Sequence, residues 1–291
     1  MNISISRSPW IGILAVTLLV GVNIAVAALV IHPDSPNLKV SFLNVGQGDS
    51  ILIQSPSGTD LLIDGGPDRA VLRELGKKLG LFDRSIDMVV ETHPDKDHIA
   101  GLSDVLARYK VSTFMSPNVK NDTATFARLT DAVAKEPGLT NIIAKRGMRI
   151  HLGDGAYADV LYPDHDVSAL TETNDGSIVL HVVYGATSFM LTGDLPSTLE
   201  DKIITYDNND GVLKSQVLKA GHHGSKTSTD AAWLAVVDPD TVVISAGRDN
   251  TYGHPAPDTL DRIRASGASI LSTIDSGTIT FVSDGKIVRE E

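Results

Sequence analysis

His93-Pro94-Asp95-Lys96-Asp97-His98 sets four potential metal ligands within six residues. Before it, residues 86–91 form a short apolar run of buried-strand type that ends at Thr92-His93. After it, Ile99, Leu102, Val105 and Leu106 recur at helical spacing. The hexapeptide therefore reads as the loop between a strand and a helix beginning near Asp97. On such a loop His93 and Asp95 point into one pocket, and Asp97 and His98 enter it from the helix start. A carboxylate at a helix N-terminus is also favoured by the helix dipole, which leaves capping as the ordinary role for Asp97. For the four together the ordinary reading is poor, because crowded ionisable groups repel unless cations neutralise them.

Working outward, residues 38–45, 49–54 and 60–64 alternate or run apolar between glycine-rich turns, the pattern of a strand meander. Residues 67–79 open with Pro67 and place Val71, Leu72, Leu75 and Leu79 on one helical face. Further strands are predicted at 177–184, 188–191, 216–218 and 241–245, alternating with helices at 196–204, 230–237 and 257–265. Strands at 270–273, 278–282 and 286–288 close the chain. An opening meander excludes a doubly wound parallel sheet. Strands and helices sharing one domain indicate an α/β (α+β) architecture of two sheets with helices outside them.

Three later segments end predicted strands as His93 does. Asp194 follows Phe189-Met190-Leu191, where a carboxylate can bridge two metals; Gly221-His222-His223-Gly224-Ser225 closes another strand with a compact turn; Tyr252-Gly253-His254-Pro255 precedes a helix. Together they place chemistry on one rim of a sheet. His32, His151 and His165 are read as linker or loop residues, and His181 as part of a strand.

The 291 residues are 42% hydrophobic, enough for a core that needs no staple. Cysteine is absent, so any metal sits on His, Asp or Glu, and a structural zinc finger is excluded. The net charge of −11 excludes binding a nucleic-acid backbone through the general surface. Phosphate would have to be drawn in by bound cations and a local basic rim. Residues 8–31 carry no charge, and as a helix they extend about 36 Å, enough to cross a bilayer core of about 30 Å. Residues 1–31 are thus expected to be a membrane anchor, or a signal segment cut after Ala25-Val26-Ala27. Arg7 before the run, and no basic residue in 32–37, orient the rest of the chain out of the cytoplasm. Residues 32–37 form a proline-containing linker to the domain at 38–291.

His93-x-Asp95-x-Asp97-His98 resembles the first motif of the metallo-β-lactamase superfamily, in its variant with Asp at the second position. Phe42-Leu43-Asn44-Val45-Gly46-Gln47-Gly48-Asp49-Ser50 is similar to the opening of the exported hydrolase domain of ComEC-type competence proteins. Leu62-Ile63-Asp64-Gly65-Gly66, Thr192-Gly193-Asp194, His222-His223-Gly224-Ser225 and Tyr252-Gly253-His254-Pro255 follow in the same order. The resemblance implies an αββα metallo-β-lactamase sandwich, here preceded by one transmembrane helix, with metals at one edge of its sheets. It implies that His93 and Asp95 bind a first divalent ion, that Asp97, His98 and His254 bind a second, and that Asp194 bridges them. Asp64 would orient ligands, His222 or His223 would face the scissile phosphate, and Ser225 and Lys226 would lie beside the substrate. Where many members carry a further histidine, this chain has Asn174-Asp175-Gly176-Ser177. That leaves one or two ions open and shifts preference from zinc towards manganese. A single apolar span replaces the multi-span channel of ComEC proteins. The implied activity is extracytoplasmic phosphodiester or nucleic-acid hydrolysis by metal-activated water. Hydrolysis of a lactone, β-lactam or other ester, and a non-catalytic DNA-binding accessory, are the alternatives.

Overall fold

The computed structural model describes residues 37–80, 82–206 and 211–291. The predicted anchor at 1–31 and all of the linker but Asn37 lie outside them. Among the described residues no helix is long and apolar enough to cross a membrane.

β1 (Leu38–Phe42), β2 (Ile51–Gln54) and β3 (Asp60–Ile63) form the antiparallel meander that the sequence predicts. α1 (Ala70–Lys78) then crosses to β4 (Ser85–Val90), which runs parallel to β3. α2 (Lys96–Ile99) and α3 (Leu102–Arg108) lead to β5 (Lys110–Ser116), and α4 (Ala124–Lys135) leads to β6 (Thr140–Ile143). The second sheet starts antiparallel with β7 (Arg149–Gly153), β8 (Ala156–Tyr162), β9 (Val179–Tyr184) and β10 (Thr187–Leu191). It turns parallel through β11 (Val217–Lys219), β12 (Thr241–Ile244) and β13 (Ser269–Ser272). The crossovers are α5 (Ser197–Ile204), α6 (Ala231–Val237) and α7 (Pro257–Ser266). After the single turn α8 (Thr273–Ser276), β14 (Ile279–Ser283) and β15 (Val288–Glu290) return to the first sheet, where β14 pairs with β1. The strand orders are β15-β14-β1-β2-β3-β4-β5-β6 and β13-β12-β11-β10-β9-β8-β7.

The period of two along each strand decides the layers. Leu38, Val40 and Phe42 of β1 face the second sheet, with Ile51, Ile53, Leu61 and Ile63 beside them. They meet Val160, Leu180, Val182, Phe189 and Leu191, and Phe281 packs edge-on to both Phe42 and Phe189. Leu52, Leu62 and Val89 turn the other way, onto Val71 and Leu75 of α1 and Leu102 and Val105 of α3. On the far side Met190, Leu218 and Val242 pack against Ile203, Trp233, Leu234 and Ile263 of α5–α7. The result is the expected order of helices, sheet, sheet, helices.

The structure adds elements that the sequence reading did not place, β5, α4 and β8 as well as β6 and β7, and departs from it further. His151 lies in β7 and not in a loop. β6 has mostly exposed side chains and lacks the apolar alternation that marks a strand, whereas β7 alternates, with Ile150 and Leu152 turned to the core, over only five residues. The strand predicted at 270–273 stops at Ser272, whose hydroxyl accepts from Ile274 N–H and caps a helical turn instead. The helix predicted from Asp97 onward breaks at Ala100-Gly101. There Gly101 N–H donates to Gly66 O at 3.1 Å, and a β-carbon on Gly101 would run into the carbonyl oxygens of Gly65 and Asp68. Gly101→Ala is therefore expected to lower stability by about 1–3 kcal/mol, since the obstructing atoms are backbone. Urea unfolding should show a lower midpoint at unchanged slope; a wild-type midpoint would show that the break tolerates a side chain.

Candidate metal centre

The site lies where strands of both sheets end. Asp64 follows β3 in a left-handed conformation (φ 57°), and its buried carboxylate organises the ligand loop. It accepts from Thr92 N–H at 2.8 Å, from Thr92 Oγ1 at 2.7 Å and from His98 Nδ1 at 2.8 Å. With its hydrogen committed to Asp64, Thr92 Oγ1 is an acceptor for His93 Nδ1 at 3.0 Å. From the second sheet, His223 Nδ1 donates to the Ser245 carbonyl at 2.9 Å. His93, His98 and His223 thus spend their Nδ1 protons outward and turn Nε2 inward, so that loss of any Nε2 proton leaves the arrangement that metal-binding imidazoles require.

Those Nε2 atoms face carboxylate oxygens. Asp194 Oδ2 lies 3.3 Å from Nε2 of both His98 and His223 and 4.0 Å from Nε2 of His93. Asp97 Oδ2 is 3.2 Å from His223 Nε2, and Asp95 Oδ2 is 3.7 Å from His93 Nε2. The two imidazoles of His98 and His223 bring their Nε2 atoms within 3.3 Å of each other. Acceptors confronting acceptors in a buried place are stable only around positive charge. His93 Nε2 and Asp194 Oδ1 are buried and have no hydrogen-bond partner. This donor set fits a divalent cation.

Behind the histidines sits a charge that the protein supplies itself. Lys219, at the end of β11, is buried and pairs with Asp49 Oδ2 at 2.6 Å and with Asp194 Oδ1 at 3.7 Å. It also donates to the carbonyls of Gly193 (3.0 Å) and Ala220 (2.9 Å). Asp49 faces the Nδ1 side of His98 (3.8 Å) and His223 (3.4 Å), so it belongs to a compact group with His98, Asp194 and His223. The Gly48-Asp49 turn is pressed against the ligand loop. Asp49 N–H donates to Asp97 O at 3.3 Å, and a β-carbon at Gly48 (φ 135°) would strike that same oxygen.

Burial pulls the His98 and His223 pKa values down, but Asp194, with Asp64 for His98 and Asp49 for His223, drives both well above the imidazole range. Burial and His98 press His93 down to about 3. Burial opposes ionisation of Asp97 and Asp194, yet the facing histidines hold both below the usual carboxylate range.

The structure brings His93, Asp95, Asp97, His98 and Asp194 together, adds His223, which the resemblance placed opposite the scissile phosphate, and sets Asp64 behind them. Asp97 does not cap the helix; its carboxylate faces His223. His254 lies at the rim: among the described residues it makes no ion pair with Asp97 or Asp194, but both carboxylates act on it electrostatically, its buried Nδ1 has no hydrogen-bond partner, and its ring lies against His222 with centroids 5.4 Å apart. His222 is half-buried at the open edge, its Nε2 3.7 Å from Asp194 Oδ2. Asn174 Nδ2 reaches His222 Nδ1 at 3.4 Å, and the neighbouring Thr173 donates to Asp95 Oδ1 at 2.6 Å. Ser225 is buried, its hydroxyl engaged with Thr227, while Lys226 is exposed. Residues not singled out from sequence are Asp49, Thr92, Thr173, Lys219 and Ser245. Local signals among them were the lone lysine ending the apolar strand Val217-Leu218 and the place of Asp49 within the motif at residues 42–50.

Two helix-flanked sheets with a histidine–aspartate centre on their shared rim define a class, the metal-dependent hydrolases of αββα form. The chain belongs to the metallo-β-lactamase superfamily, whose family model matches residues 43–248. It is 30% identical over 262 residues to ComE operon protein 3 of Bacillus subtilis, covering 84% of this chain and 33% of that protein. It is also 30% identical over 244 residues to Competence protein ComA of Neisseria gonorrhoeae, covering 83% of this chain and 32% of that one. The chain thus spans about a third of the length of these ComEC-type relatives. Among solved structures, the metallo-β-lactamase fold protein YhfI from Bacillus subtilis superposes with a TM-score of 0.54 at 13% identity, over 84% of this chain and 98% of that one. Tm1679, a metal-dependent hydrolase of the β-lactamase superfamily, gives 0.53 at 13% identity, over 83% and 98%.

Two outcomes follow from this electrostatics. A raised pKa keeps His98 and His223 protonated over a wider range, so an incoming cation displaces protons and its affinity rises with pH. Calorimetry of Mn²⁺ or Zn²⁺ binding in buffers of different ionisation enthalpy should report proton release; heats independent of buffer would contradict it. Lys219→Met leaves Asp49 as a buried unpaired charge and is expected to destabilise the fold by about 3–5 kcal/mol. Adding Asp49→Asn should recover part of that loss in chemical denaturation, and strict additivity would show that the two residues are not coupled.

Proposed function

We propose that this chain is a metal-dependent phosphodiesterase acting on nucleic acid. The observation that carries the reading is the unlike hydrogen bonding of two adjacent histidines, whose Nε2 atoms approach Asp194 Oδ2 at 3.7 Å for His222 and 3.3 Å for His223. His222 and His223 both hold left-handed backbone conformations (φ 48° and 55°), a strained pairing of the kind that clusters at functional sites. His223 turns its Nε2 towards Asp97 and Asp194. His222, half-buried at the rim, receives the Asn174 amide at Nδ1, so its proton resides on Nε2, 3.7 Å from Asp194 Oδ2. A donor there suits the negative charge that builds on a phosphoryl group under attack.

In this reading His93, Asp95, Asp97, His98, Asp194 and His223 hold the metal, Asp64 orients two of the imidazoles, and His222 meets the substrate. His254 stays at the rim beside it. When bound, one or two divalent ions, zinc or manganese, supply Lewis acidity and a lowered pKa for water. In the metal-free site His223 and His98 hold Asp97 ionised against the opposing effect of burial. Relatives named for competence support nucleic acid as the substrate class. The uncharged run at residues 8–31 supports an enzyme anchored in a membrane with its site outside the cytoplasm.

The full chain incubated with single-stranded DNA and Mn²⁺ or Zn²⁺ is expected to cut it, and Asp97→Ala to lose roughly 100-fold or more of that rate. DNA left intact by the wild type with both metals would overturn the reading. Parallel lactone and β-lactam substrates would then identify the bond that is cut.

A further inference from the structure

A series of aromatic rings leads from the centre to solvent. His98 and His223 lie 5.2 Å apart by centroid, His223 and His222 6.0 Å, and His222 and His254 5.4 Å. The series ends at Tyr252, which stacks on His254 at 6.0 Å with only 18° between the planes. Tyr252 is 68% exposed, one of the few large apolar side chains left open on the described surface. Its loop is nevertheless braced. Asn250 Oδ1 accepts from the N–H groups of Tyr252 (3.2 Å) and His254 (3.0 Å), while Asn250 Nδ2 donates to the carbonyls of His254 (2.6 Å) and Gly247 (2.8 Å). Gly247 N–H in turn donates to Gln47 Oε1 at 3.0 Å, which ties the loop to the first sheet.

We propose that Tyr252 is a nucleobase platform: its open side stacks an unpaired base of the strand whose phosphate reaches His222. The proposal rests on the phosphodiester reading. A ring already held in place loses little freedom on stacking a ligand, and every nucleobase offers a π face, so the contact is strong without being sequence-selective. An acidic protein has limited backbone attraction to offer, which gives contacts to the bases more weight. Bases inside a duplex are already stacked on their neighbours, so the platform takes single strands or frayed ends.

The test compares equilibrium binding of a phosphorothioate oligothymidylate and an abasic strand of equal length, by anisotropy, to the metal-loaded full chain and to Tyr252→Ala and Tyr252→Phe. The wild type is expected to prefer the base-bearing strand by at least about fivefold. Tyr252→Ala should abolish that preference, and Tyr252→Phe, which keeps the ring, should retain it. A preference that survives in Tyr252→Ala, or is absent in the wild type, overturns the proposal. Binding needs no turnover, so the two readings fail separately. Base-dependent binding through Tyr252 without any DNA cleavage upholds the platform against the hydrolase, and cleavage with no base preference does the reverse.

Discussion

Everything at this rim depends on one electrostatic conflict: imidazole nitrogens and carboxylate oxygens from two sheets are held face to face out of water. Left to themselves such groups would separate or take up protons. They stay because each is fixed from behind. Asp64 grips Thr92 and His98, the Ser245 carbonyl fixes His223, and Thr173 holds Asp95. The Lys219–Asp49 pair supplies the cross-sheet clasp, since Asp49 enters from the β1–β2 turn and Lys219 from β11. Its ammonium is saturated by one carboxylate and two carbonyls, which is why a lysine can lie inside this core at all. The same clasp keeps Asp194 in line with histidines that belong to the opposite sheet.

How much of this was legible in the sequence follows from how local each signal is. The ligand hexapeptide, Asp194 and the paired histidines all sit next to apolar runs, so their places at strand ends could be read directly. The meander and the buried crossover strands were visible for the same reason, and the layer order followed from them. β6 was not, because its side chains are mostly exposed and carry no alternating pattern, and β5, β7 and β8 were passed over although β7 and β8 alternate. Lys219 and Asp49 lie 170 positions apart in the chain, and nothing near either one announces the other. The division of labour between His222 and His223 was equally invisible, because it depends on backbone angles and on which ring nitrogen finds Asn174 or Ser245. His254 shows the limit from the other side. Its motif was recognisable, but its ring packs on His222 and makes no ion pair with Asp97 or Asp194.

The return of β14 to pair with β1 has a consequence of its own. Leu38 is registered against Ser283 and Phe42 against Ile279, so the first strand, paired early with β2 on one side, gains its other neighbour only when nearly the whole domain is available. Pairings this distant in sequence are slow to form, because a long loop must close before any hydrogen bond rewards it. The Gly48-Asp49 turn hangs directly from that strand. The centre draws on groups from Asp49 to Ser245, so an emerging chain can complete it only after β12 is available. Whatever compartment holds the chain at that moment also sets which cations are at hand to fill it.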